Sequence, residues 1–151
     1  MLPIRIATRQ DLRAIATLEE NWEREGSIIG FEAGGIENFA SYVDSPDKSI
    51  WVAESQDAIV GYVSATVHQT SKLAVVPHEG PYVEIDDLYV SPEHRSRSIG
   101  SRLVESALDL ARERGIHYAT LFTSSSKVAD IMRFYENQGF EPWGTQFFRR
   151  V

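Results

Sequence analysis

Apolar and polar residues change rhythm along this chain, and the changes predict its elements. Ile4-Arg5-Ile6 alternates like a short strand. Thr8 to Asp11 then reads as a capping box, and Leu12, Ile15, Ala16, Leu18 and Trp22 keep helical spacing to about Glu23. Gly26 and the run Ser27 to Gly35 break that spacing into a loop. Ile36, Phe39, Ala40 and Val43 predict a second short helix, closed by the turn Asp44-Ser45-Pro46-Asp47. Ser49 to Glu54 and Ala58 to His68 are β-branched runs on either side of Ser55-Gln56-Asp57, the pattern of an antiparallel hairpin. A polar loop from Gln69 to Gly80 leads to a strand over Pro81 to Val90. Leu103, Val104, Ala107, Leu108 and Ala111 give a helix over Ile99 to Arg114, with Gly115 where a C-terminal cap belongs. Tyr118 to Phe122 reads as a strand and Ser126 to Gln138 as a helix ended by Gly139. Phe140 to Arg149 reads as two final short strands bent at Pro142 and Gly144.

The predicted order is β-α-α-β-β-β-α-β-α-β-β. Hairpins combined with one β-α-β crossover imply an α/β (α+β) fold, a mixed sheet with helices on both faces. With 151 residues, 42% hydrophobic and 25% charged, and no repeat or linker, the expectation is one domain over residues 1–151 that buries its own core. Met1 to Leu12 has no basic stretch followed by a long apolar one, and no run approaches the roughly 18 apolar residues of a membrane span. A soluble, cytoplasmic protein with no membrane partner is expected.

The chain has no cysteine, which excludes disulfides, thiolate zinc sites and an acyl-cysteine intermediate. Its four histidines, His68, His78, His94 and His117, form no i,i+4 pair, so no metal is expected. A net charge of -7 argues against nucleic acid as a partner. The distribution adds to this. Residues 1–60 hold eleven carboxylates against five bases, residues 61–151 eleven against ten, and Arg95, Arg97 and Arg102 fall within eight residues that contain no carboxylate. Solubility alone accounts for an acidic surface, but an acidic part beside a basic loop also suits an anionic cofactor and a cationic substrate.

That basic loop lies in the stretch Val83 to Leu103, which runs from a carboxylate-bearing strand through Ser91-Pro92 into Arg95-Ser96-Arg97-Ser98-Ile99-Gly100 and then into a helix. Unpaired N–H groups at a helix start, with the helix dipole behind them, favour a phosphate. No Gly-Lys-Ser/Thr follows, and there is no G-x-G-x-x-G after a first strand, so neither common nucleotide loop applies. The spacing instead resembles motif A of the GNAT superfamily of acetyl-CoA-dependent N-acetyltransferases, Gln/Arg-x-x-Gly-x-Gly/Ala. Phe134-Tyr135-Glu136-Asn137-Gln138-Gly139-Phe140 is similar to a second signature of that family. Two departures stand out: Ser98 replaces the first motif glycine, and Val128 replaces an asparagine often found seven residues before the tyrosine.

The resemblance implies a GNAT-like, mostly antiparallel sheet and acetyl-CoA as cofactor. The diphosphate would lie on Arg95, Ser96, Arg97, Ser98, Ile99, Gly100 and Ser101, with the pantetheine arm along Leu88, Tyr89 and Val90. Tyr135 takes the place of the family's general acid, and a carboxylate on the preceding strand that of the base. Strand alternation puts Glu84 and Asp86 on one face and Asp87 on the other. Asp86 is placed ahead of Glu84 because it is nearer the strand end, and Asp87 is read as structural. Attraction of a cationic substrate is the other reading of this acidic trio. The acceptor is expected to be a small cationic primary amine, entering beside the first two helices and the C-terminal strands. A peptide or protein N-terminus is the alternative acceptor, and a non-catalytic acyl-CoA-binding regulatory module is the alternative of another class. Trp22, Phe31, Phe39 and Tyr42 read mostly as core. Phe147-Phe148 suits either core burial or a homodimer contact.

Overall fold

The computed structural model describes residues 1–150. The elements are β1 (Ile4–Ile6), α1 (Leu12–Glu25), α2 (Gly35–Asp44), β2 (Lys48–Ser55), β3 (Ala58–His68), β4 (Tyr82–Val90), α3 (Ile99–Glu113), β5 (Ala119–Leu121) and α4 (Val128–Glu136). The strands form one sheet in the order β1-β2-β3-β4-β5, antiparallel throughout except for the parallel pair β4 and β5. This is the mixed α/β fold the sequence predicts, with helices on both faces.

Each face takes its helices from a sequence stripe. Leu12, Ile15 and Leu18 of α1 and Phe39 of α2 pack on Ile50, Val52, Tyr62 and Tyr89. Leu103, Val104, Ala107 and Ala111 of α3 pack on the opposite face against Val63, Ala65, Val67, Val83 and Ile85. One turn of 3-10 helix over Arg9–Asp11 leads into α1. Its hinge is Asp11, which accepts the Thr8 N–H at 2.7 Å and the Arg5 guanidinium at 2.8 Å. The Arg5 contact holds the Asp11 carboxyl down at about 2, against the cost of its burial. At the other end α1 stops where Gly26 turns left-handed, with φ of 64°.

The C-terminal prediction fails. Phe140 to Arg150 carries neither helix nor strand, so the final β-β pair is absent among the described residues. An apolar rhythm makes a strand only beside a free sheet edge. Here β5 is three residues long, Phe122 beyond it is exposed, and Pro142 removes a donor. Phe147 and Phe148 are 94% and 81% exposed, which also excludes the core-burial reading for them in this chain. The predicted helix over Ser126 to Gln138 is shorter, at Val128–Glu136.

Two features of β4 position everything that follows. It pairs with β5 only through Val83, Ile85 and the Glu84 between them, so from Asp86 onward its outer edge has no strand beside it among the described residues. It also carries a bulge: Ser64 pairs with Asp87 and Ala65 with Ile85, leaving Asp86 as an extra residue.

Candidate functional site

The bulge resets the side-chain alternation of β4. Val83, Ile85, Leu88 and Val90 face the α3 side, whereas Glu84, Asp86, Asp87 and Tyr89 all face α1 and α2. The expectation that Asp87 lies opposite Asp86 is therefore overturned, because uninterrupted alternation does not survive an inserted residue. The same-face residues of β3 receive them in turn. Ser64 donates to Asp87 at 3.0 Å, Thr66 to Asp86 at 2.7 Å, and His68 Nε2 lies 2.8 Å from Glu84 while its ring stacks on Tyr82. From α2, the Tyr42 hydroxyl donates to the same Asp86 oxygen at 3.0 Å.

These carboxylates are not equivalent. Burial pushes the Asp86 carboxyl up from the ordinary range, against the pull of the Thr66 and Tyr42 hydrogen bonds. Burial raises Asp87 as well, opposed by Ser64 and reinforced by the charge of Asp86. Glu84 remains about a third exposed. Above the strip, Glu19 is buried in α1, raised by that burial, and accepts the N–H groups of Gly34 and Gly35 at 3.0 and 3.1 Å, which fixes the start of α2. The Tyr62 hydroxyl is buried nearby without a partner among the described residues.

Beyond Val90 the strand runs into the basic loop. Ser96 and Ser98 both sit in the left-handed region, at φ of 60° and 58°, before α3 begins at Ile99. Among the described residues, no acceptor meets the backbone N–H groups of residues 96 to 101; the first helical bond here runs from Arg102 to Ser98. A row of amides at the start of a 15-residue helix has the geometry that can cradle an anion. Gly100 lets α4 pack closely there, since a Cβ would come 3.2 Å from the Phe134 ring, which would have to shift by a few tenths of an ångström. The open strand edge adjoins this cradle. Ser91 donates to Val60 on β3 at 2.9 Å, so by alternation the peptide groups of Leu88 and Val90 face the other way, toward the space β5 has left.

Tyr135 lies on the α3 side of the sheet, with its ring edge-on to Phe134 and Phe140. Its hydroxyl has no hydrogen-bond partner among the described residues, and burial pushes its pKa up to about 12, which keeps the phenol protonated through the neutral range. Over the opposite side, the loop after α1 is tied to the loop before α4: Ile28 bridges Ser125, and Ser126 donates to Ser27 at 2.7 Å.

Residues 10–140 match the model of the acetyltransferase (GNAT) family. The chain belongs to that family. It is similar to N-acetyltransferase 8 of Homo sapiens, 30% identical over 113 residues, which cover 72% of this chain and 45% of that protein. This GNAT chain thus spans about half the length of the curated relatives it matches. A transcriptional regulator from Bacillus halodurans superposes over 100% of both chains with a TM-score of 0.78 at 24% identity. An aminoglycoside N-acetyltransferase in complex with CoA does so over 100% of this chain and 95% of its own, at 0.79 and 16%. At such identities the likeness is one of fold.

Of the residues singled out in the sequence, the structure of this GNAT chain brings Leu88, Tyr89, Val90 and Arg95 together at the open strand edge and runs Ser96 to Ser101 on from them. The Ile99 side chain is buried in the core, so its backbone alone is available to a ligand. Asp86 and Glu84 share one face, while Tyr135 packs on the other side of the sheet, and no hydrogen bond joins them. Phe39 is core as expected, but Tyr42 is not simply core, because it holds Asp86. Thr66, His68 and Glu25 escaped sequence reasoning. Thr66 and His68 did carry a usable signal, because they alternate with Ser64 along one face of a hairpin strand. Among the described residues no group of three or more histidines and carboxylates is arranged to hold a metal ion, and no helix is long and apolar enough to cross a membrane.

Proposed function

We propose that this chain moves the acetyl group of acetyl-CoA directly to a primary amine, a small cationic one. The observation that carries the reading is the layout of β4: acceptor-free amides and an open strand edge at one end, and three carboxylates on one face beside the point where β5 departs. The aminoglycoside N-acetyltransferase of the same fold supports amine acetylation in general. Acetyl-CoA supplies an activated acetyl carbonyl. On this reading the N–H groups of residues 96 to 101, with the Arg97 side chain, hold the diphosphate, and the Leu88 peptide group and the Val90 N–H pair with the pantetheine arm as with an added strand, the Val90 carbonyl being taken by Arg95 Nε.

The amine must lose a proton to become a nucleophile. Asp86 takes it, with Glu84 as the alternative, because a buried carboxylate raised toward neutrality is a stronger base than an exposed one. The Tyr135 phenol returns a proton to the departing thiolate. Without a cysteine, no acyl-enzyme forms on sulfur. The acidic face attracts the cationic acceptor and repels anionic amines.

Free-thiol release from acetyl-CoA over a panel of diamines, neutral amines, amino acids and peptides tests this. The highest kcat/KM is expected for a small cationic amine. A peptide N-terminus in first place would move the substrate to the alternative acceptor. CoA binding without thiol release on any amine would contradict transfer and favour a binding module.

A further inference from the structure

Arg95 stands at the first position of the basic loop, yet it is not free to meet a ligand with its whole guanidinium. Its Nη2 lies 2.8 and 2.9 Å from the two carboxylate oxygens of Glu25, the last residue of α1. Its Nε donates to the Val90 carbonyl at 2.8 Å. Its plane sits over the Tyr89 ring, 5.5 Å from the centroid, and the Tyr89 hydroxyl donates to the same Glu25 at 2.7 Å. Three anchors from α1 and β4 thus fix one arginine seventy residues from Glu25, and they leave Nη1 without an acceptor among the described residues. The Val90 carbonyl it occupies belongs to the open edge of β4, so the guanidinium closes that edge where the strand ends and the row of free amides begins. Arg97, two residues on, has no such partner among the described residues.

We propose that Glu25 is a positioning residue that aims Arg95 at the diphosphate of CoA. An unanchored arginine loses rotamer freedom when a ligand immobilises it, and a guanidinium already held at Nε and Nη2 has lost that freedom beforehand. The remaining donor, Nη1, is then presented at the junction between the pantetheine edge and the phosphate cradle. Glu25 touches no ligand in this arrangement and acts only through Arg95, so its effect belongs to ligands with phosphate. The inference rests on the reading of residues 95 to 101 as the diphosphate site.

Calorimetric titration of CoA and of pantetheine, which shares the arm but lacks every phosphate, tests it on the wild type, Glu25→Gln, Arg95→Ala and the double variant. Arg95→Ala is expected to weaken CoA binding about tenfold, the scale of one lost charge-assisted hydrogen bond. Glu25→Gln is expected to weaken it roughly threefold to tenfold, and the double variant to bind like Arg95→Ala alone, within about twofold. Pantetheine affinity should stay within about twofold in all four proteins, because a general loosening of α1 would lower both ligands together. Losses that multiply in the double variant, a parallel loss for pantetheine, or tighter CoA binding in Glu25→Gln would each overturn the positioning role. A wild-type protein that does not bind CoA would overturn the diphosphate site itself, a different failure that is read before any variant is made.

Discussion

The two faces of β4 are built from the same nine residues and do opposite things. Toward α3, Val83, Ile85, Leu88 and Val90 belong to a continuous apolar core with Leu103, Val104 and Ala107. Toward α1 and α2, Glu84, Asp86 and Asp87 lie in a row among Ser64, Thr66, His68 and Tyr42, and two of the three are held above the ordinary carboxylate range by burial. One face gains free energy by excluding water. The other gives some of it up to keep titratable groups partly dry. A single inserted residue makes the division this sharp, since without the bulge Asp87 would point into the α3 core.

If the α3 face is purely structural, the largest stability loss should come from it. Leu103→Ala, at a fully buried position, is expected to cost about 3 kcal/mol in urea unfolding while leaving CoA affinity nearly unchanged. A loss under about 1 kcal/mol would mean that this core is loosely packed. Tyr135 sits at the border of the same core, yet its phenol is assigned to chemistry. Tyr135→Phe should lower kcat roughly tenfold to hundredfold with little change in melting temperature. Near-normal turnover across pH would return Tyr135 to the packing it resembles.

On the acidic face the expected sign reverses. Burial holds the Asp87 carboxyl above its unfolded value, so its ionised form costs folding free energy at every pH above the folded pKa, and the cost vanishes once pH falls below the unfolded one, about 3.9. Asp87→Asn should therefore stabilise the protein at pH 7 by about 1 kcal/mol in thermal unfolding, with the gain shrinking toward pH 4. Destabilisation at pH 7 would show that the Ser64 hydrogen bond outweighs the desolvation of the charge. The smallest effect belongs to the loop. Ser98 adopts φ of 58°, which glycine tolerates better, so Ser98→Gly should add about 0.5 to 1 kcal/mol of stability and preserve or tighten CoA binding. A large loss of affinity would mean that the hydroxyl, rather than backbone freedom, serves the ligand.

Much of this molecule is legible in its sequence, for reasons that also mark where legibility ends. The hairpin β2–β3 and the helix α3 follow from their own periodicities, and Ala58–His68 is observed as predicted. The basic loop is legible because an anion cradle is local: a strand, a turn and a helix start within twenty residues. The left-handed Ser98 follows from the glycine whose motif place it takes. The bulge at Asp86 is illegible, because alternation presumes an unbroken strand and the inserted residue is defined only by its partner β3. The Glu25–Arg95 contact is illegible because nothing local links residues so far apart. Phe147 and Phe148 misled in the other direction. Their apolar rhythm is real, but a strand also needs a free edge, and three-residue β5 offers little of one.

If Asp86 is the base that takes the amine proton, the pH dependence of turnover shows it most directly. The measurement is kcat/KM against pH for the wild type, Asp86→Asn and Glu84→Gln, with the best amine of the panel. In the wild type the rate should fall as pH drops through the raised Asp86 pKa, because the protonated carboxyl cannot accept the amine proton. Asp86→Asn should lose that acidic limb along with roughly a hundredfold in rate, while Glu84→Gln keeps the limb. An acidic limb that persists in Asp86→Asn, with only KM raised, would contradict the account and reduce the strip to an attractor of cations.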